Sequence, residues 1–131
     1  MIVVDASAVL EVLLATPAAQ AVAERILGSG ESLHAPHLLD VEVAQVVRRY
    51  WRTREVDALR GWQALEDLSR FPVERYAHEP LLARIWELRA SAPAYDAVYL
   101  ALSEALEAPL VTCDVALASV PGYRGDVEVF A

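Results

Sequence analysis

Residues 95–114 read YDAVYLALSEALEAPLVTCD, a buried helix followed by a buried strand, with an aspartate at the functional end of each. Asp96 is the only charge before Glu104, and residues 97–102 (AVYLAL) are apolar all round, the pattern of a helix covered on most sides. Pro109 closes the connection. Leu110, Val111, Thr112 and Cys113 then form a short, mostly β-branched run of the kind that sits inside a parallel sheet, and Asp114 follows at once. An acid therefore stands at the carboxyl end of this strand.

The chain opens the same way: Ile2, Val3 and Val4 end at Asp5, which is followed by Ala6, Ser7 and a second apolar segment. In open α/β sheets ligands bind beyond the carboxyl ends of the strands, where strand order reverses, so two acids ending two central strands converge there.

Working outward, residues 6–14 predict a short helix with Ser7 at its N-cap. Residues 17–27 predict another, stopped by Gly28, Ser29 and Gly30. Leu33 to Ala35 predict a second strand, ended by Pro36. Residues 37–52 predict a third helix, with Leu39, Val43, Val46 and Tyr50 on one apolar stripe. Glu42 lies at the edge of that stripe, about 60° from its centre, leaning into a cleft, while Asp40, Arg48 and Arg52 face water. Residues 55–69 predict a fourth helix weakened by Gly61, residues 71–76 a strand, and Glu79 with Pro80 the start of a fifth helix through Arg89. Residues 127–130 (VEVF) alternate like an edge strand. Strands alternating with helices give a parallel sheet with helices on both faces.

With 131 residues and 56% hydrophobic content, a single domain spanning 1–131 is expected. Apolar runs are too short to span a bilayer, and Asp5 stands where a secretory leader would be basic and then hydrophobic, so a cytoplasmic location is expected. Cys113 is the single cysteine, which excludes an internal disulfide and fits an inert core thiol. A net charge of −8 argues against indiscriminate adhesion to nucleic acid but not against a nuclease, because a bound metal reverses the local sign. All eleven cations are arginine, which removes every mechanism that requires lysine, including phospho-accepting receivers and haloacid-dehalogenase-like phosphatases. The chain has no GxGxxG, GxxxxGK[ST] or GxSxG motif.

Asp5, Glu42, Asp96 and Asp114 each have a bland reading as a cap, a turn residue or a solvated charge. Together they place three acids at one sheet edge and a fourth on a helix facing it. Unpaired carboxylates in a cleft repel one another, and a divalent cation removes that cost. Oxygen-only donors suit Mg²⁺, with Mn²⁺ a substitute, rather than zinc; His34, His37 and His78 are scattered and read as ordinary. Carboxylate-held cations activate water for in-line attack at phosphorus, which points to phosphodiester hydrolysis.

These segments, IVVDASAVLE with Asp5, HAPHLLDVEVAQVVRR with Glu42, AYDAVYLALSEAL with Asp96 and APLVTCDVAL with Asp114, resemble the PIN-domain family, specifically VapC-like toxins of bacterial toxin-antitoxin pairs. The resemblance implies a three-layer α/β/α sandwich with a central five-stranded parallel sheet. It also implies a Mg²⁺-dependent endoribonuclease cutting structured RNA (tRNA, rRNA or mRNA), restrained by a small VapB-like antitoxin and commonly homodimeric. The four acids match the family's metal-holding positions, and Ser7 and Thr112 match hydroxyl positions near them. The chain departs from the family in carrying Ser91 and Pro93 where a polar cap often precedes Asp96, and Val115 after the final aspartate.

Arg48, Arg49 and Arg52 near the end of the third helix are candidate RNA phosphate contacts, against a reading as a cation-rich helix terminus. Trp51, Trp62 and Trp86 read as core or partner-interface aromatics ahead of base-stacking platforms. Two rivals accompany the nuclease: a catalytically weak module that mainly binds antitoxin or RNA, and a DNA nuclease on the same fold.

Overall fold

The computed structural model describes residues 1–17 and 19–131. Five strands, β1 (Ile2–Val4), β2 (Leu33–Pro36), β3 (Val73–Tyr76), β4 (Leu110–Thr112) and β5 (Val127–Val129), form one sheet in the order β3-β2-β1-β4-β5. Every pairing is parallel, as the continuous apolar runs of the two central strands require. Strand order reverses beside β1, which lies between β2 and β4, so the switch point falls where the two predicted aspartates emerge.

The helices α1 (Ala6–Leu13), α2 (Ala19–Leu27), α3 (Leu38–Arg52), α4 (Ala58–Ser69), α5 (Leu82–Glu87) and α6 (Ala94–Leu106) complete the fold. Successive strand residues point to opposite faces. Ile2 and Val4 pack with α1 to α4 in one core, and Val3 packs with α5 and α6 in the other. This is the expected three-layer sandwich. Residues 97–103 of α6 are all buried, in keeping with the all-round apolar pattern. The helix ends at Glu107, a non-glycine residue in the left-handed region (φ 52°).

Several local expectations are corrected. Asp5, not Ser7, occupies the N-cap of α1, and Ser7 sits in the first turn, where its hydroxyl serves other partners. The helix expected over 17–27 is seen from Ala19; Ala18 lies outside the described residues. Along α3 the buried stripe is Leu39, Val43 and Val47, an i, i+4, i+8 row, while Val46 and Tyr50 turn toward the Glu42 side. Asp40 is not free in water: Arg75 of β3 clamps both its oxygens at 2.8–3.0 Å. The fourth helix starts three residues late, where Asp57 caps Arg60 N–H at 2.7 Å. Gly61 is a close-approach residue as well as a weak helix former, since a Cβ there would lie 3.1 Å from Val47 Cγ1. The fifth helix divides into a 3-10 turn (Glu79–Leu81) and the short α5. Trp51, Trp62 and Trp86 are not core residues; all three are exposed.

Candidate active site

Asp5, Glu42, Asp96 and Asp114 line one open cleft of about 590 Å³ at the carboxyl edge of the sheet. Four elements deliver them. Asp5 follows β1, Asp114 follows the neighbouring β4, Asp96 lies in the first turn of α6, and Glu42 lies one turn into α3. Strand register explains the first two, because the pairing Val4↔Val111 sets Thr112 beside Asp5 and brings Asp114 two residues farther along to the same edge.

Asp5 is the most rigidly held. It is only 8% exposed, and its Oδ2 accepts hydrogen bonds from Ser7 Oγ at 2.7 Å and from the fully buried Thr112 Oγ1 at 2.8 Å. Ser7 Oγ accepts from Cys113 N–H at 2.9 Å, and Thr112 Oγ1 accepts from Asp114 N–H at 3.0 Å. The two hydroxyls thus fasten β1, α1 and the end of β4 around one carboxylate oxygen, leaving Oδ1 outside the network. Asp114 itself caps the following 3-10 turn, its Oδ1 accepting from Ala116 N–H at 2.9 Å. The capping role weighed for it in the sequence is therefore real, and it coexists with a place in the cleft.

The other two acids carry an electrostatic cost. Burial raises the Glu42 pKa above the ordinary carboxylate range, and Asp5 and Asp96 add to the rise. Asp96 is raised in the same way, first by burial and then by Asp5 and Asp114. Tyr99, one turn beyond Asp96 on α6, is near enough to Glu42 for its hydroxyl to oppose that rise. Even so, the two groups miss hydrogen-bond geometry, and Glu42 Oε1 and the Tyr99 hydroxyl are both buried without a partner. Burial raises the Tyr99 pKa as well, so the hydroxyl keeps its proton.

Among the described residues, no three His, Cys, Asp or Glu side chains stand close enough to hold a metal ion as they are. The acids surround the cleft without forming a closed cage. By donor chemistry they nevertheless fit a hard divalent cation: every donor is a carboxylate oxygen, and Glu42 presents an orphaned buried oxygen that only a cation or a donor group can satisfy. α6 starts at Pro93 with no side-chain cap, as the departure from the family pattern led one to expect, and Val115 is exposed beside Asp114.

The three arginines separate. Arg49 lines the acidic cleft, Arg48 lines an apolar groove between α3 and α4 with Trp51 and Trp62, and Arg52 is exposed at the end of α3. Sequence reasoning missed Glu11, Tyr95 and Tyr99. Tyr99 had a signal, a polar-tipped aromatic three residues after Asp96 in an otherwise apolar helix. Glu11 and Tyr95 had none, because only the tertiary arrangement turns them to the cleft. Among the described residues, no helix is long and apolar enough to cross a membrane.

A PIN domain family model matches residues 2–123. Over 131 residues the chain is 38% identical to ribonuclease VapC12 of Mycobacterium tuberculosis, covering 100% of each. It is 47% identical over 117 residues to ribonuclease VapC9 of the same species, covering 89% of this chain and 88% of the other. Among solved structures, PAE2754 from Pyrobaculum aerophilum aligns with a TM-score of 0.69 at 25% identity, over 97% of this chain and 82% of that one. VapBC2 from Rickettsia felis, bound to a DNA fragment from their promoter, aligns with a TM-score of 0.70 at 14% identity over 98% of both chains.

Proposed function

The chain belongs to the PIN-domain family, and on that premise we propose that it is a divalent-metal-dependent endoribonuclease, the toxin of a toxin-antitoxin pair. In this reading it works as a single domain in the cytoplasm, hydrolyses phosphodiester bonds in structured RNA with Mg²⁺ or in its place Mn²⁺, and is restrained by a small VapB-like antitoxin. The ribonuclease names of its relatives support the activity. The observation that carries the reading is the delivery of four carboxylates from four separate elements into one cleft, with one of them fixed by two buried hydroxyl bonds.

Asp5, Asp96 and Asp114 are the proposed direct metal ligands, with Glu42 completing the site. Bound there, a divalent cation would supply an activated water and charge stabilisation at the phosphoryl oxygens. Ser7 and Thr112 orient Asp5 so that Oδ1 faces its task without a search over rotamers. Glu42 keeps its proton to a higher pH than an exposed glutamate until a cation compensates its charge. A homodimer belongs to the same proposal, with the exposed Trp51 and Trp62 available for an interface.

The test is incubation of a total-RNA preparation with the purified, partner-free protein in Mg²⁺, in EDTA, and with Asp96→Asn. Discrete fragments that need both metal and Asp96 are expected; full cleavage by a folded Asp96→Asn protein would sink the assignment. A second reading, a catalytically weak module that mainly binds antitoxin or RNA, draws on the open arrangement of the acids and the uncapped start of α6. Titration calorimetry separates the two, since this reading requires no Mg²⁺ or Mn²⁺ binding at millimolar concentration.

A further inference from the structure

Among the described residues, two buried side-chain atoms lack a hydrogen-bond partner, Glu42 Oε1 and the Tyr99 hydroxyl. The other buried polar side chains, Asp5, His34, Ser103 and Thr112, are all bonded to protein groups. The two orphans are neighbours, and they are complementary: a phenol that can donate and a carboxylate that, once ionised, can only accept. Buried polar atoms in folded proteins are paired, so an adjacent unpaired donor and acceptor call for an explanation.

Tyr99 is only 1% exposed, and a phenylalanine would fill the same space without carrying an unserved hydroxyl. It stands three residues after Asp96 on α6, about 300° of rotation and about 4.5 Å along the axis, so α6 turns the acid and the phenol to the same side. Its hydroxyl reaches toward Glu42 of α3 and toward the backbone of Ala6 at the start of α1. It therefore sits where the elements that carry Asp5, Glu42 and Asp96 meet, beneath the cleft that Glu42 lines.

We propose that Tyr99 is a positioning residue for Glu42: its hydroxyl donates to Oε1 and leaves the other carboxylate oxygen to a cation in the cleft. The inference rests on the metal-dependent reading of the same cleft and adds a residue that reading does not use. Asp5 is already held by the hydroxyls of Ser7 and Thr112. Glu42 hangs from a longer side chain whose Oε1 has no such hold, and Tyr99 gives it one. With a cation among the acids Glu42 carries full charge, and a charged acceptor makes the stronger bond with a buried phenol. That bond takes up both orphans at once and fixes the glutamate rotamer as the site is loaded.

The experiment titrates the purified protein with Mn²⁺ and with Mg²⁺ by calorimetry, comparing wild type, Tyr99→Phe, Glu42→Ala and the double variant. Melting temperatures in EDTA and cleavage of total RNA by the wild type run in parallel. Tyr99→Phe should weaken cation binding about 10- to 100-fold, the range for losing a partner that orients a ligand. In EDTA it should melt at or above the wild-type temperature, because it deletes an unserved polar atom and keeps the ring. In the Glu42→Ala background it should change affinity by less than about twofold, since the group it positions is gone. Added Mg²⁺ should move the tyrosine absorption band of the wild type to the red, as a phenol that starts donating to a carboxylate does, and Tyr99→Phe should show a smaller shift. A Tyr99→Phe protein that binds the cation like the wild type overturns the proposal, the result expected if a buried water served the hydroxyl instead. An equal loss of affinity in the Glu42→Ala background also overturns it, as does a fall in the EDTA melting temperature, which would make the hydroxyl a structural bond of the fold. When the wild type binds the cation and cuts, these failures leave the nuclease standing. If the wild type binds no divalent cation at millimolar concentration, the metal reading fails first and the proposal with it.

Discussion

Thr112→Val tests whether the hydroxyl clamp on Asp5 is an energetic feature of the fold. The substitution keeps the shape of a fully buried side chain and deletes one oxygen. That oxygen donates to Asp5 Oδ2 at 2.8 Å and accepts from Asp114 N–H at 3.0 Å. A hydrogen bond to a charged acceptor contributes about 1.5–3 kcal/mol net. Asp114 is exposed, so water can take over its N–H and the second bond adds little. Asp5 retains the Ser7 bond, which limits the loss, and the new methyl returns about 0.8 kcal/mol of apolar burial at most. The expected net loss is about 1–2 kcal/mol, or roughly 3–8 °C in melting temperature for a chain of this size. Urea unfolding should show a lower midpoint with unchanged slope. Cleavage should fall about 10- to 100-fold, the usual cost of losing a partner that orients a metal ligand, the role proposed for Asp5. Thr112→Ser is the companion: it keeps the hydroxyl and loses a buried methyl, so it should lose stability while keeping most activity. A Val variant that melts with the wild type and cuts at its rate would refute the reasoning.

The pH dependence of the metal-free protein has a definite sign. Glu42 and Asp96 are both raised in the folded state, so the native protein holds these protons more tightly than the unfolded chain. Their contribution to stability is full below the unfolded carboxylate pKa and is lost as pH rises through the raised folded values. The melting-temperature difference between Glu42→Gln and wild type in EDTA should therefore grow as pH rises above the ordinary carboxylate range, about 4. Millimolar Mg²⁺ should shrink it, and a flat difference would contradict the burial argument. Arg75→Ala should cost about 1–2 kcal/mol by urea unfolding, because it removes a forked pair with Asp40 and bonds to the carbonyls of Val73 and Leu68. The loss should shrink at high salt, and a salt-independent loss would assign the effect to packing.

The sheet and the acids were legible because both follow from local rules. A short apolar run that stops at an acid marks a buried parallel strand and its carboxyl end, and this happens at Asp5 and again at Asp114. Glu42 was legible from helical angle alone. What escaped were choices made between distant segments. Whether Val46 or Val47 faces the core depends on where α4 comes to rest, which periodicity along α3 cannot specify. Asp40 reads as solvent-exposed until Arg75, 35 residues away, arrives beside it. Ser7 fits an N-cap by composition, yet Asp5 offers its hydroxyl a carboxylate acceptor and the β4 end a backbone donor, which together outweigh a capping bond. The tryptophans read as core or partner-interface aromatics, and their exposure on the helix surfaces removes only the first reading.

The central position of β1 has a consequence for when this protein becomes active. Asp5 leaves the ribosome long before its partners, since its N–H is bonded to Val111 O and its carboxylate to Thr112, more than 100 positions later. Pairings of such sequence separation form only after the intervening chain can close the loop, and they are slow steps in folding. α6 and β4 contribute Asp96 and Asp114 just as late. A nascent chain that has completed α1 to α4 therefore carries Asp5 and Glu42 without a site. Translation must pass Asp114 before there is anything for an inhibitor to restrain.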